Sequence, residues 1–366
     1  MTASARACPL LPALLLLPAL VWIACGDAAG TGVAAARPLC GEGTRFVSWA
    51  EMGLPADAMP LDLALDRDSV WVVFDPPLLA RLPRRAGAET GEGAGVRAEV
   101  LVVAPEEGEV WTAVDVDPVD GALWLARGDG DELLRVDPAT GALRRLSLAG
   151  FGGGGGLVDV RAGRQGLAVS PYCSEHGLWT VARSGEPLGT AFPAGESDPH
   201  ADLRDPRFGC PRVFLDRLPE SEVVAFALSD RRLHRWRGAA GGAGAWAAGE
   251  PVALDEEAAG SVSALFHHDG TPVLLGAAAT GPGDRPLGTW IHRLDPGSSR
   301  GGGAARAMLE RCDSRVLVAA EGDGAGLAAL TPGGLLLVPA ADSAAVAAAE
   351  TPGSGSTPLA PPDAGR

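Results

Sequence analysis

The chain predicts an all-β fold, a propeller of radially arranged antiparallel sheets. Three observations predict it. A unit of about 50 residues recurs along the sequence, clearest from Trp111 to Leu148 as WTAVDVDPVDGALWLARGDGDELLRVDPATGALRRLSL. Within that copy, four short apolar runs are separated by the turn clusters PVDG, GDGDE and DPATG, the pattern of a four-stranded meander. Composition agrees: 51 Gly and 30 Pro punctuate turns rather than long helices, while 46% hydrophobic residues supply a core. Meanders at a fixed period bury their faces against one another, and a ring lets every copy do so.

The elements follow in chain order. Residues 1–24 read as a signal peptide: Arg6 precedes the apolar run Leu10–Ala24, whose 15 residues, broken by Pro12 and Pro18, are too few to span a bilayer. The run closes in Val21-Trp22-Ile23-Ala24-Cys25, which resembles the lipobox of bacterial lipoproteins, with Trp22 where that motif has Leu. The resemblance implies a lipid on Cys25 and a membrane as partner through that anchor. The alternatives are soluble secretion after cleavage among the following Ala and Gly residues, or an uncleaved anchor; all three export the domain. Residues 25–44 lack apolar periodicity and read as a flexible tether.

The propeller is expected over residues 45–340, as six blades of four strands. First strands are placed at Leu61–Asp66, Trp111–Asp117, Gln165–Pro171, Cys210–Leu215, Ser261–His267 and Ser314–Ala320, with starts 45 to 54 residues apart. Second strands follow at Val70–Phe74, Ala122–Ala126, Gly177–Ala182, Val223–Leu228, Pro272–Ala278 and Gly326–Leu330, nearly continuous apolar runs that suit strands covered on both faces. Third strands (LLARL, LLRVD, RLHRW, WIHRL) place Arg opposite an apolar pair or ring, as a more solvated outer strand would. The last blade shows only three strands, and the orphan run Arg45–Trp49 would complete it and close the ring. Seven blades is the alternative, but there are no spare strands for it. Residues 341–366, rich in Ala, Pro, Ser and Gly, read as a disordered tail.

Phrases such as DPVDGALWLA and LLRVDPATGALRRL resemble the β-propeller superfamily that includes NHL, YVTN-type and gluconolactonase-like proteins. That resemblance covers residues 45–340 and implies a fold; many unrelated functions share it. The gluconolactonase-like enzymes hold a divalent cation with Glu, Asp and Asn, and this chain has no Asn. Related propeller lyases and quinone-dependent dehydrogenases lean on Lys, His or Asn, and the chain has no Lys either. No catalytic residue is therefore assigned and no cofactor is expected beyond a divalent metal. The expected role is a non-catalytic, lipid-anchored binding or scaffold module of the cell envelope. The alternative is a metal-dependent hydrolase or lyase with an axial site.

Net charge of −16 argues against nucleic acid as a partner, since phosphate binding needs concentrated positive surface. With Cys8 removed and Cys25 lipidated, four cysteines remain: Cys40, Cys173, Cys210 and Cys312. An even number in an oxidising compartment suggests two disulfides with three possible pairings. Ring closure would set Cys40 beside the last blade and favours Cys40–Cys312 with Cys173–Cys210; buried free thiols are the alternative. A candidate metal set is His267, His268 and Asp269 with His200 or His176, although adjacent strand residues point to opposite faces. The charged, Pro-broken stretch 194–209, with Asp198, His200, Asp202 and Arg204, is a candidate recognition loop. The acidic phrases at Asp115–Gly121, Asp129–Glu132 and Glu321–Gly324 are expected to be turns. Gly152–Gly156 reads as a flexible loop and not a phosphate cradle, and no GxSxG elbow supports a hydrolase triad.

Overall fold

A computed structural model of the chain describes residues 44–55, 57–84, 97–101, 108–149, 156–172, 178–190, 213–218, 222–229, 232–242, 246–249, 251–253, 262–268, 271–280, 286–293, 305–308, 318–323 and 326–339. Side chains in 262–308 are not described. The described strands form six antiparallel sheets, five of four strands and one of five.

Strand β1 (Arg45–Ser48) stands apart from the first meander, which is built from β2 (Met59–Leu65), β3 (Ser69–Asp75), β4 (Leu78–Pro83) and β5 (Glu99–Leu101). The second sheet is β6 (Trp111–Val116), β7 (Leu123–Arg127), β8 (Glu132–Val136) and β9 (Leu143–Ser147). The third is β10 (Leu157–Ala162), β11 (Gly166–Pro171), β12 (Trp179–Ala182) and β13 (Pro187–Thr190). The fourth runs β14 (Val213–Arg217), β15 (Glu222–Ser229), β16 (Arg232–Ala239) and β17 (Ala247–Ala248), with β18 (Val252–Ala253) also on β16. The fifth is β19 (Val262–His268), β20 (Thr271–Thr280), β21 (Pro286–Arg293) and β22 (Ala305–Met308). The sixth holds β23 (Ala320–Asp323), β24 (Gly326–Thr331) and β25 (Gly334–Pro339), with β1 as its outer strand.

The first strands of successive sheets touch in order: β2 meets β6, β6 meets β10, β10 meets β14, β14 meets β19, β19 meets β23, and β23 returns to β2. A cycle of inner strands with meanders running outward is a propeller of four-stranded antiparallel blades. Closure uses the expected strand: Arg45 pairs with Leu337 and Ser48 with Gly334, and the Trp49 indole N–H donates to the Pro332 carbonyl at 3.1 Å. Val47, Trp49 and Leu54 thereby share one core with Leu63, Val72, Phe74, Leu330 and Leu335, joining both ends of the meander series. Burying several large side chains at a junction stabilises it by roughly 1.5–3 kcal/mol each relative to exposure.

Between sheets the largest buried groups are Trp111, Trp124 and Trp179. Trp111 lies in the core between the first and second sheets, and Trp124 and Trp179 in that between the second and third. The Arg-bearing third strands behave as expected of an outer layer. Trp71 faces Arg81 across β3 and β4, and Trp124 faces Arg135 across β7 and β8, with the guanidinium carbons 5.4 and 5.8 Å from the indole rings. Each pair keeps an aliphatic stem over an aromatic face while the charge reaches water.

Two strand assignments from the sequence need correction. Gln165–Pro171 is not a first strand; its strand, β11, is second in the third sheet, and 179–182 is third. The true inner strand is β10, with Asp159 and Arg161 near its middle. Charges at those positions look like solvated surface in a sequence, whereas here Arg161 is buried and Asp159 half-buried. The last inner strand is β23 at Ala320–Asp323, later than the expected Ser314–Ala320, because Glu321 is an interior residue and not part of a turn.

Candidate functional site: a carboxylate and guanidinium cluster on the axis

Five inner strands carry a buried or half-buried acid: Asp62 on β2, Asp115 on β6, Asp159 on β10, Asp216 on β14 and Glu321 on β23. Four of them join neighbouring sheets through backbone. Asp62 Oδ2 accepts the Val114 amide at 3.0 Å, Asp115 Oδ2 the Ala162 amide at 2.6 Å, and Asp159 Oδ2 the Leu215 amide at 2.9 Å. Glu321 Oε2 accepts the Leu65 amide at 3.1 Å, across the junction between the last and first meanders. Inner strands of adjacent sheets share no ladder, so these carboxylates satisfy amides that the sheet pattern leaves open.

Two arginines answer them. Arg161 on β10 donates through Nη1 to the Val114 and Val160 carbonyls at 3.2 and 3.1 Å, with Asp159 at 3.5 Å and Asp62 at 3.9 Å. Arg217 on β14 reaches across the ring: Nη1 donates to the Val116 carbonyl at 2.7 Å, and Nη2 lies 3.5 Å from the Leu65 carbonyl. Its charge sits 3.8 Å from Asp115 and 3.7 Å from Glu321. One guanidinium from the fourth sheet thus touches the first, second and sixth.

Electrostatics follow from burial. Loss of water pushes the Glu321 carboxyl up to about 8, with the Asp115 and Asp216 charges adding to the rise, although Arg161 and Arg217 oppose it. Burial also lifts Asp62 to about 7, where Asp159 adds to the rise against Arg161 and the Val114 amide. Asp159 rises to about 6 for the same leading reason, with Asp115 adding and Arg161 opposing. Burial works against the charge on Arg161, but the surrounding carboxylates more than compensate and hold it firmly protonated. For Arg217 the Asp115 carboxylate leads in raising the value, and burial opposes it.

A second clasp lies beside the axis. Asp117, fully buried, takes both Arg183 terminal nitrogens at 2.6 Å and the Trp124 indole N–H at 3.1 Å. Burial alone would raise the Asp117 carboxyl; these donors and the Val119 amide outweigh it and hold it below the usual range. It ties the second sheet to the residue that follows β12 in the third. Asp115 and Asp117 therefore both fasten the second sheet to the third, one through the Ala162 amide and one through Arg183, and only the residues after Val116 form the expected turn.

The sequence-derived sites fare unevenly. Cys25, Cys40, Cys173, Cys210, Cys312, His176, Asp198, His200, Asp202, Arg204 and Asp269 lie outside the described residues. His267 and His268 end β19, opposite Pro272 and Thr271, as consecutive strand residues. His234 stacks on Trp236 at 5.9 Å, a packing role at the outer strands. Among the described residues, no group of three or more His, Cys, Asp or Glu is placed to hold a metal ion. Also among them, no helix is long and apolar enough to cross a membrane, and Leu10–Ala24 falls outside this set. The axial acids went unrecognised in the sequence, although a signal exists: every inner strand except β19 carries an Asp or Glu, which at Asp62, Asp115 and Asp159 stands between apolar residues.

No protein-family model and no curated protein matches the chain. Solved structures do. A provisionally assigned gluconolactonase aligns at 13% identity over 83% of this chain and 96% of that one, with a TM-score of 0.52. A component of a mitotic checkpoint complex aligns at 12% identity over 81% and 94%, TM-score 0.49. The β-propeller domain of Cps50 (Swd1) from Myceliophteria thermophila aligns at 14% identity over 76% and 82%, TM-score 0.47. At such identities the likeness extends to the fold alone.

Proposed function

We propose that the six sheets are the six blades of one closed ring, serving as a non-catalytic binding or scaffold module of the cell envelope. The domain is exported and held to a bacterial membrane by lipid on Cys25, with Cys40–Cys312 and Cys173–Cys210 as its disulfides. The observation that carries the non-catalytic part is the state of the axis. Most of the polar groups described there hold sheets together: four carboxylates accept inter-sheet amides, and Arg217 reaches from the fourth sheet to carbonyls of the second and first. A reacting group must be free to meet a substrate, and these are committed to structure. Binding then falls to the rims and loops, the usual recognition elements of a rigid ring.

Export and anchoring are supported by the Leu10–Cys25 pattern and the even cysteine count. Labelling cells with a fatty-acid analogue tests the anchor directly: wild type takes up label and Cys25→Ser does not. Label on both proteins, or on neither, removes the lipid from the proposal. For the role itself, a pull-down of the mature domain from envelope extract is expected to recover a specific partner, and none recovered counts against it. The second reading, an axial metal-dependent hydrolase or lyase, draws on the acids that five inner strands carry, though no three of those described are grouped to hold an ion. Metal analysis of the purified domain separates the two, because that enzyme requires a stoichiometric ion.

A further inference from the structure

The four carboxylate contacts between sheets all run the same way round the ring. Asp62 of the first sheet accepts the Val114 amide of the second, and Asp115 of the second accepts the Ala162 amide of the third. Asp159 of the third accepts the Leu215 amide of the fourth, and Glu321 of the sixth accepts the Leu65 amide of the first. Each acid fastens its own sheet to the next one. The fifth sheet departs from this rule in its sequence: β19 reads VSALFHH and contains no Asp or Glu with which to reach β23 of the sixth. Backbone register shows which residue stands where an acid would be. Strands β2, β10 and β19 each carry one extra residue against their second strand, at Leu61, Val158 and Ser263. The residue that follows is Asp62 in β2, Asp159 in β10 and Ala264 in β19. On its other side the sixth sheet is held to the first by a shared core, by Glu321 and by the ion pair of Arg84 with Asp323.

We infer that this ring of six sheets, the same ring on which the proposed binding role rests, has a built-in opening seam: β19 parts from β23 while the four clasped junctions stay shut. Inner strands of neighbouring sheets share no ladder, so side-chain bonds across a junction are what resist the entry of water. A carboxylate that accepts a backbone amide makes a stronger bond than a neutral pair, and parting it strands both groups. The junction from β19 to β23 can part without breaking such a bond, because β19 has no carboxylate to lose. Local opening follows the weakest junction and need not involve the rest of the fold. Since the sixth sheet is fixed to the first, opening at β19 leaves the pairing of β1 with β25 intact.

Native-state hydrogen exchange of the full-length protein at neutral pH, read by mass spectrometry, tests the seam. Amides of β23 are expected to exchange at least about tenfold faster than those of β6, β10 and β14, the strands that receive a carboxylate. Exchange in β23 as slow as in those strands overturns the seam. The same data report the ring separately through β1 and β25: protection there upholds closure, and its loss removes the closed ring and the seam with it. Ala264→Asp places an acid at the position that Asp62 and Asp159 occupy in their strands. It is expected to slow exchange in β23 severalfold and leave β6 unchanged, and a folded variant with unaltered exchange in β23 also overturns the seam. Should that variant fail to fold, the wild-type pattern decides alone.

Discussion

Replacing Arg217 by Met removes a cation that crosses the ring while keeping most of its volume. The hydrogen bond to the Val116 carbonyl at 2.7 Å is lost, and the carboxylates of Asp115 and Glu321, 3.8 and 3.7 Å away, lose their counter-charge. Stripping one partner from a buried ion pair costs about 3–5 kcal/mol. Glu321 is pushed up to about 8 and stays largely protonated near neutrality, so the penalty there belongs mainly to Asp115 and sits near the lower end, about 3 kcal/mol. A domain of this size shifts by about 2 °C per kcal/mol, giving a fall of about 6 °C in differential scanning calorimetry at neutral pH. Above pH 8 Glu321 ionises in the absence of its partner, and the deficit should widen. A shift under about 1 °C, or one that stays constant with pH, would refute the view that Arg217 compensates buried charge.

Four further outcomes are expected. Arg183→Ala strands the buried Asp117 carboxylate and should cost about 3 kcal/mol in urea unfolding at neutral pH. Because Asp117 is held below its ordinary range, its contribution is present above the unfolded value and lost on acidification, so the variant should also lose stability less steeply in acid. Trp124→Phe deletes the indole donor to Asp117 and part of the Arg135 contact, for about 1–2 kcal/mol by the same measurement. Gly156 has φ of +87° and a Cβ there would meet the Gly128 carbonyl oxygen at 1.9 Å, so Gly156→Ala should lower the melting temperature by several degrees, more than strain alone explains. Val47→Asp places a charge in the closure core and should raise hydrogen exchange selectively in β25, leaving β7 protected.

Much of the fold was legible because turn chemistry and apolar periodicity agree over most repeats. The second strands VWVVF, ALWLA and VVAFAL lie where their patterns place them, and Arg45–Ser48 closes the last sheet as the missing partner. The third sheet broke the reading for a definite reason: β10 spends two of its six positions on Asp159 and Arg161, and a single strand cannot show that they face the interior of a ring. The axial cluster was hidden for the same reason. Asp115 beside Asp117, and Glu321 beside Asp323, sit in phrases rich in Gly and Asp, and turns use those same residues. Only closure of the ring reveals that the acid of one repeat faces the amide of the next. What the axis needs is a property of five repeats together, and no local window contains it.

The way β1 lies against β25 also determines how the ring bears load. Arg45 stands opposite Leu337, so the first and last residues of this paired seam leave from the same end. Tension applied between them would part the seam one hydrogen bond at a time, like a zipper, instead of loading all its bonds together in shear. A molecule tethered from one terminus alone never experiences that geometry. A partner that gripped the other terminus would load the seam in that unzipping direction.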